Sequence, residues 1–237
     1  MWEEFSDTLI EASELMGLEL TKAQVLVMRA YAQAVAKQNE VVNLTEICEP
    51  REMAVKHFAD SLACVPLIDP SATVVDVGSG AGFPGIPLKI ALPSLDVTLL
   101  DSLAKRTLFL ERVLRELGLR DVKVVTARSE QYGRAEGREY FDVAVARAVA
   151  KLRVLVEYCL PLVCVGGLFI AMKGPGAADE VREAMHAMGV LGAELEDVVQ
   201  IDLPFNVGSR RLVCIRKVRR SPEGFPRRPG VPAKRPL

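Results

Sequence analysis

The chain has 237 residues, of which 50% are hydrophobic and 26% are charged, and its formal net charge at pH 7 is −1. These totals predict a folded protein with a sizeable core and exclude intrinsic disorder. No apolar run reaches the ~18–20 residues that span a bilayer, and the acidic, polar start MWEEFSDTLIEAS is unlike a secretory signal. We therefore expect a soluble, cytoplasmic protein with no membrane partner.

The first part of the chain predicts three helices, which we assign to a helical N-terminal cap over residues 1–65. Apolar residues at helical spacing predict the first helix over 5–16. The second begins at Thr21, because Thr-Lys-Ala-Gln has the spacing of a capping box, and it continues to about residue 37. The third helix covers roughly 50–65.

Residues 66–218 contain apolar runs of strand length that alternate with helical segments. The predicted strands cover 73–77, 96–101, 122–127, 141–147, 166–174, 198–204 and 210–218. Helices are predicted between them over 83–91, 105–118, 152–163 and 179–189. This alternation predicts an α/β fold with a doubly wound, mostly parallel sheet of seven strands. The last two strands have no helix between them, which indicates a hairpin and one antiparallel strand.

The C-terminal segment is strongly basic. From residue 216 onwards it has eight basic side chains and one acidic one, which gives +7 there and −8 over the rest of the chain. A basic tail, delimited here as 219–237, predicts a polyanionic partner such as RNA, whose phosphates Arg and Lys contact without reading sequence. Two alternatives stay open: a solvated extension, or a segment whose Arg-Arg-Pro-Gly packs on the body and closes the site.

The cysteines and histidines suggest no metal chemistry. The five cysteines form no Cys-x-x-Cys pair and mostly have apolar neighbours, so reduced thiols in a cytosolic core are expected. His186 is expected at the surface of a late helix. His57 and Asp60 are three residues apart, so they can share a helix face, and a structural hydrogen bond is the favoured interpretation.

The glycines of the stretch VVDVGSGAGFPGIPL fit two different ligands. Gly78, Gly80 and Gly82 give G-x-G-x-G, which is typical of S-adenosylmethionine sites, whereas a frame that starts at Gly80 gives the G-x-G-x-x-G of dinucleotide sites. The glycine directly after the first predicted strand is Gly78. Counted from there, the third dinucleotide glycine is replaced by Phe83. The frame therefore favours S-adenosylmethionine.

Three residues near this turn suit that ligand. Asp76 would repel a pyrophosphate but suits the methionine ammonium, directly or through water. The Phe83 backbone N–H is placed to meet the methionine carboxylate, and Asp101 is placed to accept hydrogen bonds from ribose hydroxyls, as an acid also does in NAD enzymes. Two competing classes stay open: an NAD-dependent oxidoreductase, and a binding module that only senses S-adenosylmethionine.

Seven segments of the chain together resemble one protein family. They are VNLTEI, KHFADSL, VVDVGSGAGFPGIPLKI, LLDSLAKRTLFL, FDVAVARAVA, FIAMKG and FPRRPGVPAKRPL. The glycine turn alone is typical of a whole methyltransferase superfamily, whereas its combination with HFADS, ARA and RRPGVP is specific. By these segments the chain resembles the bacterial glucose-inhibited division protein B family, also called ribosomal RNA small-subunit methyltransferase G.

The resemblance implies a class I S-adenosylmethionine-dependent methyltransferase fold. It also implies transfer of a methyl group from S-adenosyl-L-methionine to N7 of one guanine in 16S rRNA, with S-adenosyl-L-homocysteine as product. The partner would be the small ribosomal subunit or an assembly intermediate, and we expect a monomer. Carried over residue by residue, the cofactor contacts are Gly78, Phe83, Asp101, Ser102, Leu103, Ser129, Glu130 and Arg147.

The chemistry of guanine N7 needs no general base, because N7 has a lone pair and no proton to lose. Orientation of the reacting groups then carries the catalysis. The chain has neither the Asn/Asp-Pro-Pro-Tyr/Phe that suits an exocyclic amine nor the Pro-Cys that suits pyrimidine C5. We expect Arg147, after the fourth strand, to position the guanine or its phosphate. Lys173, after the fifth, is the expected second cationic contact.

Overall fold

Seven strands form one sheet in the spatial order β3-β2-β1-β4-β5-β7-β6 in the computed structural model, which describes residues 2–237. The strands are β1 (Thr73–Val77), β2 (Asp96–Asp101), β3 (Val122–Thr126), β4 (Phe141–Arg147), β5 (Val163–Lys173), β6 (Ala193–Leu203) and β7 (Gly208–Lys217). The first five strands are parallel, and β7 runs antiparallel between β5 and β6. The expected doubly wound sheet and its closing hairpin are confirmed.

Helices precede the sheet and connect its strands. They are α1 (Trp2–Leu15), α2 (Lys22–Asn39), α3 (Pro50–Met53), α4 (Asp60–Leu62), α5 (Gly85–Ala91), α6 (Ala104–Leu117), α7 (Ser129–Tyr132), α8 (Leu152–Cys159), α9 (Ala177–Val190) and α10 (Val231–Lys234). The capping box at the start of α2 is present, since Thr21 accepts from Gln24 N and the Gln24 side chain accepts from Thr21 N. The sequence pattern therefore located this helix start correctly.

The third predicted helix differs from the expected regular α-helix over 50–65. A π-helical segment, Ala54–Ala59, lies between α3 and α4, and a short 3-10 turn, Val65–Leu67, follows. The wider π turn leaves the carbonyls of Lys56 and His57 within 3.4 and 3.3 Å of the Arg147 guanidinium. Because this interaction is with a residue far along the chain, the local pattern could not predict it.

Several predicted boundaries shift by a few residues. The helix expected from Phe83 begins at Gly85. The N–H groups of Gly82 and Phe83 both donate to Ser79 O, and these hydrogen bonds form a separate turn just before the helix. β6 begins at Ala193, five residues earlier than predicted, because it pairs with β7 as far as Lys217. Pairing between distant strands thus sets these ends.

A hydrophobic core lies on each face of the sheet. Val74 and Val75 are neighbours in β1 and point to opposite faces. Val74 belongs to the core that includes Phe5 and Phe58 of the N-terminal helices, whereas Val75 belongs to the core that includes Leu155 of α8. Strands buried on both faces read as continuous apolar runs, which explains the sequence TVVDV.

The turn after β1 is packed closely against the second helix. Gly82 has a φ of +104°, and a Cβ atom there would lie 2.6 Å from both Ile86 Cδ1 and the Tyr31 hydroxyl. The same hydroxyl donates a 2.6 Å hydrogen bond to Ala81 O. Both the backbone angle and the available space therefore require glycine at this position.

We expect Gly82→Ala to lower the free energy of unfolding by about 2 kcal/mol or more, because the new methyl group combines backbone strain with a clash. Denaturant unfolding of the full chain measures the change. The matched control is Gly224→Ala, where an added Cβ meets nothing within 4 Å. Equal stability of the two variants would contradict this account of the turn.

Candidate active site

Two adjoining cavities lie at the carboxyl edge of the parallel strands. The first, of about 510 Å³, is lined by Lys56, Arg106, Arg147, Lys173 and Arg210 among others, and is called here the cationic cavity. The second, of about 490 Å³, lies at the ends of β1, β2 and β3 and is called the β1–β3 cavity. Gly78, Arg106 and Ala148 line both. Ligands in the two cavities would therefore meet beside Gly78.

All eight residues that the family resemblance carries over as cofactor contacts border one of these cavities. The β1–β3 cavity is lined by Gly78, Asp101, Ser102, Leu103, Ser129 and Glu130. Phe83 and Arg147 line the cationic cavity instead. Their individual roles stay predictions, but the fold brings together residues that are up to 69 positions apart in the chain.

Asp101 links the turns after β1 and β2. It is 4% exposed, and its Oδ2 accepts a hydrogen bond from Gly80 N at 3.0 Å, while Oδ1 accepts from Leu103 N at 2.9 Å. Arg106 Nη1 lies 3.3 Å from Oδ2. A carboxylate has about four lone-pair sites, so Asp101 retains capacity to accept from a hydroxyl in the cavity.

Asp76 lies behind the turn and lines neither cavity. It is fully buried, its Oδ2 accepts from Gly85 N at 2.9 Å, and its Oδ1 has no hydrogen-bond partner within residues 2–237. Burial raises the pKa of this carboxyl to about 7. The hydrogen bond to Gly85 N makes Asp76 an anchor for the start of α5, and its expected contact with a cofactor ammonium, directly or through water, stays a prediction.

Phe83 contributes its ring rather than its backbone to the cationic cavity. Its N–H is already donated to Ser79 O at 3.2 Å, so it is not free for a ligand carboxylate. The ring stacks on His57 at a centroid distance of 4.8 Å, and the Arg147 guanidinium lies 5.2 Å from its centroid. Phe83 therefore orders the side chains of this wall.

Asp60 carries the one carboxylate among the described residues that line the cationic cavity. Its Oδ2 accepts from Arg147 Nη1 at 2.9 Å. Its Oδ1 lies 2.9 Å from Arg210 Nε, yet no hydrogen bond of acceptable geometry reaches that oxygen within residues 2–237. No sequence pattern pointed to Arg210, because the strand that carries it meets Asp60 only through the tertiary fold.

His57 forms a structural hydrogen bond, but with a different partner from the one expected. Its Nε2 lies 2.7 Å from Thr45 Oγ1, while Asp60 pairs with two arginines instead. Burial, followed by the charge of Arg147, lowers the pKa of His57 from 6.5 to about 4. The expected His57–Asp60 bond was therefore wrong, although both residues line the same cavity.

Lys173 lies at the edge of the cationic cavity with its charge already paired. Its Nζ donates to Ala150 O at 2.7 Å and to Glu180 Oε2 at 2.8 Å. Glu180 also accepts from Leu152 N at 2.6 Å. Lys173 thus braces the loop between β4 and α8, and its expected contact with substrate stays a prediction.

The C-terminal tail packs on the body, which was one of the alternatives that the sequence left open, and its expected contact with RNA stays a prediction. Arg227 meets the buried Glu157 through Nε at 2.9 Å and Nη2 at 2.5 Å. Gly230 N donates to Glu130 Oε1 at 2.9 Å, so the tail holds a residue that lines the β1–β3 cavity. Five tail cations are exposed, namely Arg219, Arg220, Arg228, Lys234 and Arg235.

All five cysteines are free, with Cys64, Cys159 and Cys214 buried. Between residues 2 and 237 no group of three His, Cys, Asp or Glu side chains is placed to hold a metal ion. Over that range no helix has both the length and the apolar character that a membrane crossing requires.

Comparison with known proteins identifies close relatives. A family model described as GidB, rRNA small subunit methyltransferase G, matches residues 24–212. The ribosomal RNA small subunit methyltransferase G of Pelotomaculum thermopropionicum is 48% identical over 236 residues, with 98% of each chain covered. That of Carboxydothermus hydrogenoformans is 48% identical over 223 residues, which cover 93% of this chain and 95% of the relative.

Solved structures share the fold at low identity. The cofactor-bound protein Rv0187 from MTB has a TM-score of 0.55 at 18% identity, covering 78% of this chain and 89% of that chain. TYW2 from M. jannaschii, in complex with AdoMet, has a TM-score of 0.51 at 13% identity, and the match covers 67% of this chain and 75% of that chain. These likenesses confirm the class I S-adenosylmethionine-dependent methyltransferase fold.

We expect Arg227→Ala to lower the free energy of unfolding by about 3 kcal/mol, because it leaves the carboxylate of Glu157 buried without its partner. Its neighbour Arg228 is exposed, so Arg228→Ala is a matched control with an expected effect within about 0.5 kcal/mol. Thermal and denaturant unfolding measure both variants. Similar values for the two would show that the tail contact does not stabilise the body.

His57 makes stability depend on pH in a defined window. Its pKa is about 4 in the folded chain and 6.5 when unperturbed, so the unfolded state binds the proton first and stability rises with pH between these values. Relative to His57→Gln, the native chain should lose on the order of 2 kcal/mol as pH falls from 6.5 to 4. Unfolding curves at each pH measure the difference.

The control for this pH dependence is His186→Gln, which changes an exposed histidine on α9. It should follow the native chain throughout the window. A constant stability difference between the native chain and His57→Gln from pH 4 to 6.5 would contradict the shift.

Proposed function

We propose that this chain, which belongs to the rRNA small subunit methyltransferase G family, transfers a methyl group from S-adenosyl-L-methionine to N7 of a guanine in 16S rRNA. The observation that carries the proposal is the pair of cavities that meet at Gly78. One has the polar and apolar groups that suit a nucleoside. The other has the positive charge that suits a nucleotide.

The β1–β3 cavity fits the cofactor by its chemistry. Asp101 and Glu130 provide carboxylate acceptors, and the half-exposed side chain of Leu103 provides an apolar cover for a base. Gly78 needs to be glycine, since its φ is +75° and a Cβ would lie 2.6 Å from Val149 Cγ2. When bound, S-adenosylmethionine supplies a methyl group attached to a positively charged sulfur.

The alternative of an NAD-dependent oxidoreductase is disfavoured by the hydrogen bonds of the turn. A pyrophosphate would require free N–H groups at the start of α5. Gly82 N and Phe83 N are both donated to Ser79 O, at 2.7 and 3.2 Å, and Gly85 N is donated to Asp76 at 2.9 Å. The groups that a diphosphate would use are therefore already engaged.

The reaction requires the protein to orient two groups, the guanine N7 lone pair and the methyl group on sulfur. The guanine N7 lone pair forms a bond to the methyl carbon while the carbon–sulfur bond breaks, and both electrons of that bond stay on sulfur. The positive charge thus moves to the guanine ring, and no proton is transferred. Arg147 is fixed by Asp60 and by the Lys56 and His57 carbonyls, and its proposed role is to hold the base or its phosphate. His57 is not needed as a base.

An RNA substrate also fits the charge of the cationic cavity. Five basic side chains line it against one carboxylate, and contacts of this kind with phosphates make binding weaken steeply as salt is added. The proposed substrate is the small ribosomal subunit or its assembly intermediate, and the proposed active species is a monomer. The division into a cap (1–65), a methyltransferase body (66–218) and a tail (219–237) likewise stays a prediction.

The test is transfer of labelled methyl groups from S-adenosylmethionine to small ribosomal subunits that lack the modification. We expect label at guanine N7 of 16S rRNA, and at least a ~100-fold lower rate for Arg147→Ala, because orientation of the reacting groups supplies most of the acceleration. Nucleoside analysis of the labelled rRNA and single-turnover rates provide the measurements.

The matched control is Arg182→Ala, which removes an exposed arginine of α9 and should leave the rate unchanged. Folding and cofactor affinity of both variants are measured in parallel. Cofactor binding without any transfer would favour the sensing module, and full activity of Arg147→Ala would remove this residue from the mechanism.

A further inference from the structure

The cationic cavity contains a buried acceptor whose purpose the positioning of Arg147 does not explain. Asp60 is 3% exposed, and Arg147 alone satisfies its Oδ2. Oδ1 is enclosed beside Arg210, whose Nε is 2.9 Å away, but it receives no hydrogen bond within residues 2–237. Leaving a buried oxygen without a donor costs free energy comparable to a lost hydrogen bond. A ligand that brings donors would remove this cost.

Among the RNA bases, guanine brings the donors that such a carboxylate lacks. Its N1–H and N2–H₂ lie side by side on one edge, and the two oxygens of a carboxylate can accept from both. At Asp60 this requires the partly exposed Arg210 side chain to move away from Oδ1. Adenine presents a lone pair at N1, so the same carboxylate would repel it. A site built to accept hydrogen bonds rejects an analogue that lacks the donors, because its own polar atoms are then left unpaired.

The position of Asp60 also leaves the reacting edge free. N7 lies on the Hoogsteen edge of guanine, whereas N1 and N2 lie on the Watson–Crick edge, so a base held at N1 and N2 leaves N7 uncovered. The cationic cavity extends from Asp60 to Gly78 and Ala148, where it joins the β1–β3 cavity. With its Watson–Crick edge at Asp60, a single base would direct N7 toward that junction.

The carboxylate also suits the charge that the reaction creates. Methylation at N7 gives the guanine ring a positive charge, which five basic side chains in the same cavity would oppose. A carboxylate bound at N1 and N2 offsets part of that repulsion. The effect is larger in a partly buried cavity than in water.

We propose that the Asp60 carboxylate recognises the target guanine by accepting hydrogen bonds from N1–H and N2–H₂, and so determines the choice of base. This rests on the proposed function for the identity of the reaction, but the recognition step can be measured without turnover. Asp60 is then a specificity-determining residue as well as the partner of Arg147.

The experiment is equilibrium binding of GMP, IMP, 1-methyl-GMP and AMP to the full chain in the presence of S-adenosyl-L-homocysteine. IMP lacks the N2 amino group, and 1-methyl-GMP lacks the N1 proton. We expect GMP to bind at least ~10-fold more tightly than each of the others, the effect of one lost hydrogen bond to a charged group. Equal binding of GMP, IMP and 1-methyl-GMP by the native chain would overturn the proposal.

The variant Asp60→Asn separates recognition from positioning. We expect its GMP to IMP affinity ratio to approach one, while the control Asp179→Asn, on an exposed aspartate of α9, keeps the native ratio. If Asp60 only holds the arginines, Asp60→Asn will weaken GMP and IMP by the same factor, which refutes the proposal. The analogue series on the native chain decides the question even if Asp60→Asn does not fold.

Failure of this inference and failure of the proposed function give different results. A chain that methylates 16S rRNA yet binds GMP and IMP equally keeps its function and loses the assigned role of Asp60. A chain that prefers GMP but transfers no methyl group supports the recognition step and refutes the reaction.

Discussion

A buried ionic contact joins the two parts of the molecule that form the cationic cavity. Asp60 lies among the N-terminal helices, Arg147 is the last residue of β4, and their side chains are 4% and 14% exposed at a separation of 2.9 Å. Removing such charges from water costs several kcal/mol per ion, and attraction recovers it only with good geometry. Because residues from both parts line the cavity, it forms only when the helices are docked on the sheet. The same contact fixes the guanidinium where β4 ends.

The features that depend on local sequence signals were predicted correctly. Apolar runs of strand length located all seven strands. Central strands such as β1 are buried on both faces and must therefore be apolar throughout, whereas the edge strands β3 and β6 are partly exposed. The glycines after β1 located the ligand edge, since Gly78, Gly80 and Gly82 all have positive φ and only glycine adopts such angles freely. Asp101 was found by the same reasoning, because the carboxyl ends of parallel strands meet at one edge of a sheet.

The features that were not predicted from the sequence depend on contacts between distant parts of the chain. Arg210 reaches Asp60 across 150 positions, and no pattern in either segment indicates the pairing. The π-helical segment Ala54–Ala59 lies where the carbonyls of Lys56 and His57 meet Arg147. The tail has the composition of a nucleic-acid-binding arm, yet a single buried acid, Glu157, binds its Arg227 to the body. Composition reports the charge of a segment, whereas its partner depends on the fold.

Three buried aspartates lie at this edge of the sheet, and each has a different role because each has different hydrogen-bonding and charged partners. Asp76 is enclosed without a cation in contact, so burial raises its pKa to about 7. Asp101 is held by two backbone N–H groups and Arg106 beside the β1–β3 cavity. Asp60 faces the cationic cavity between two arginines. A methyl transfer that moves positive charge from sulfur to a base would be opposed by a cavity with cations alone. In the proposed reaction the carboxylate of Asp60, which lies among those cations, offsets part of this repulsion.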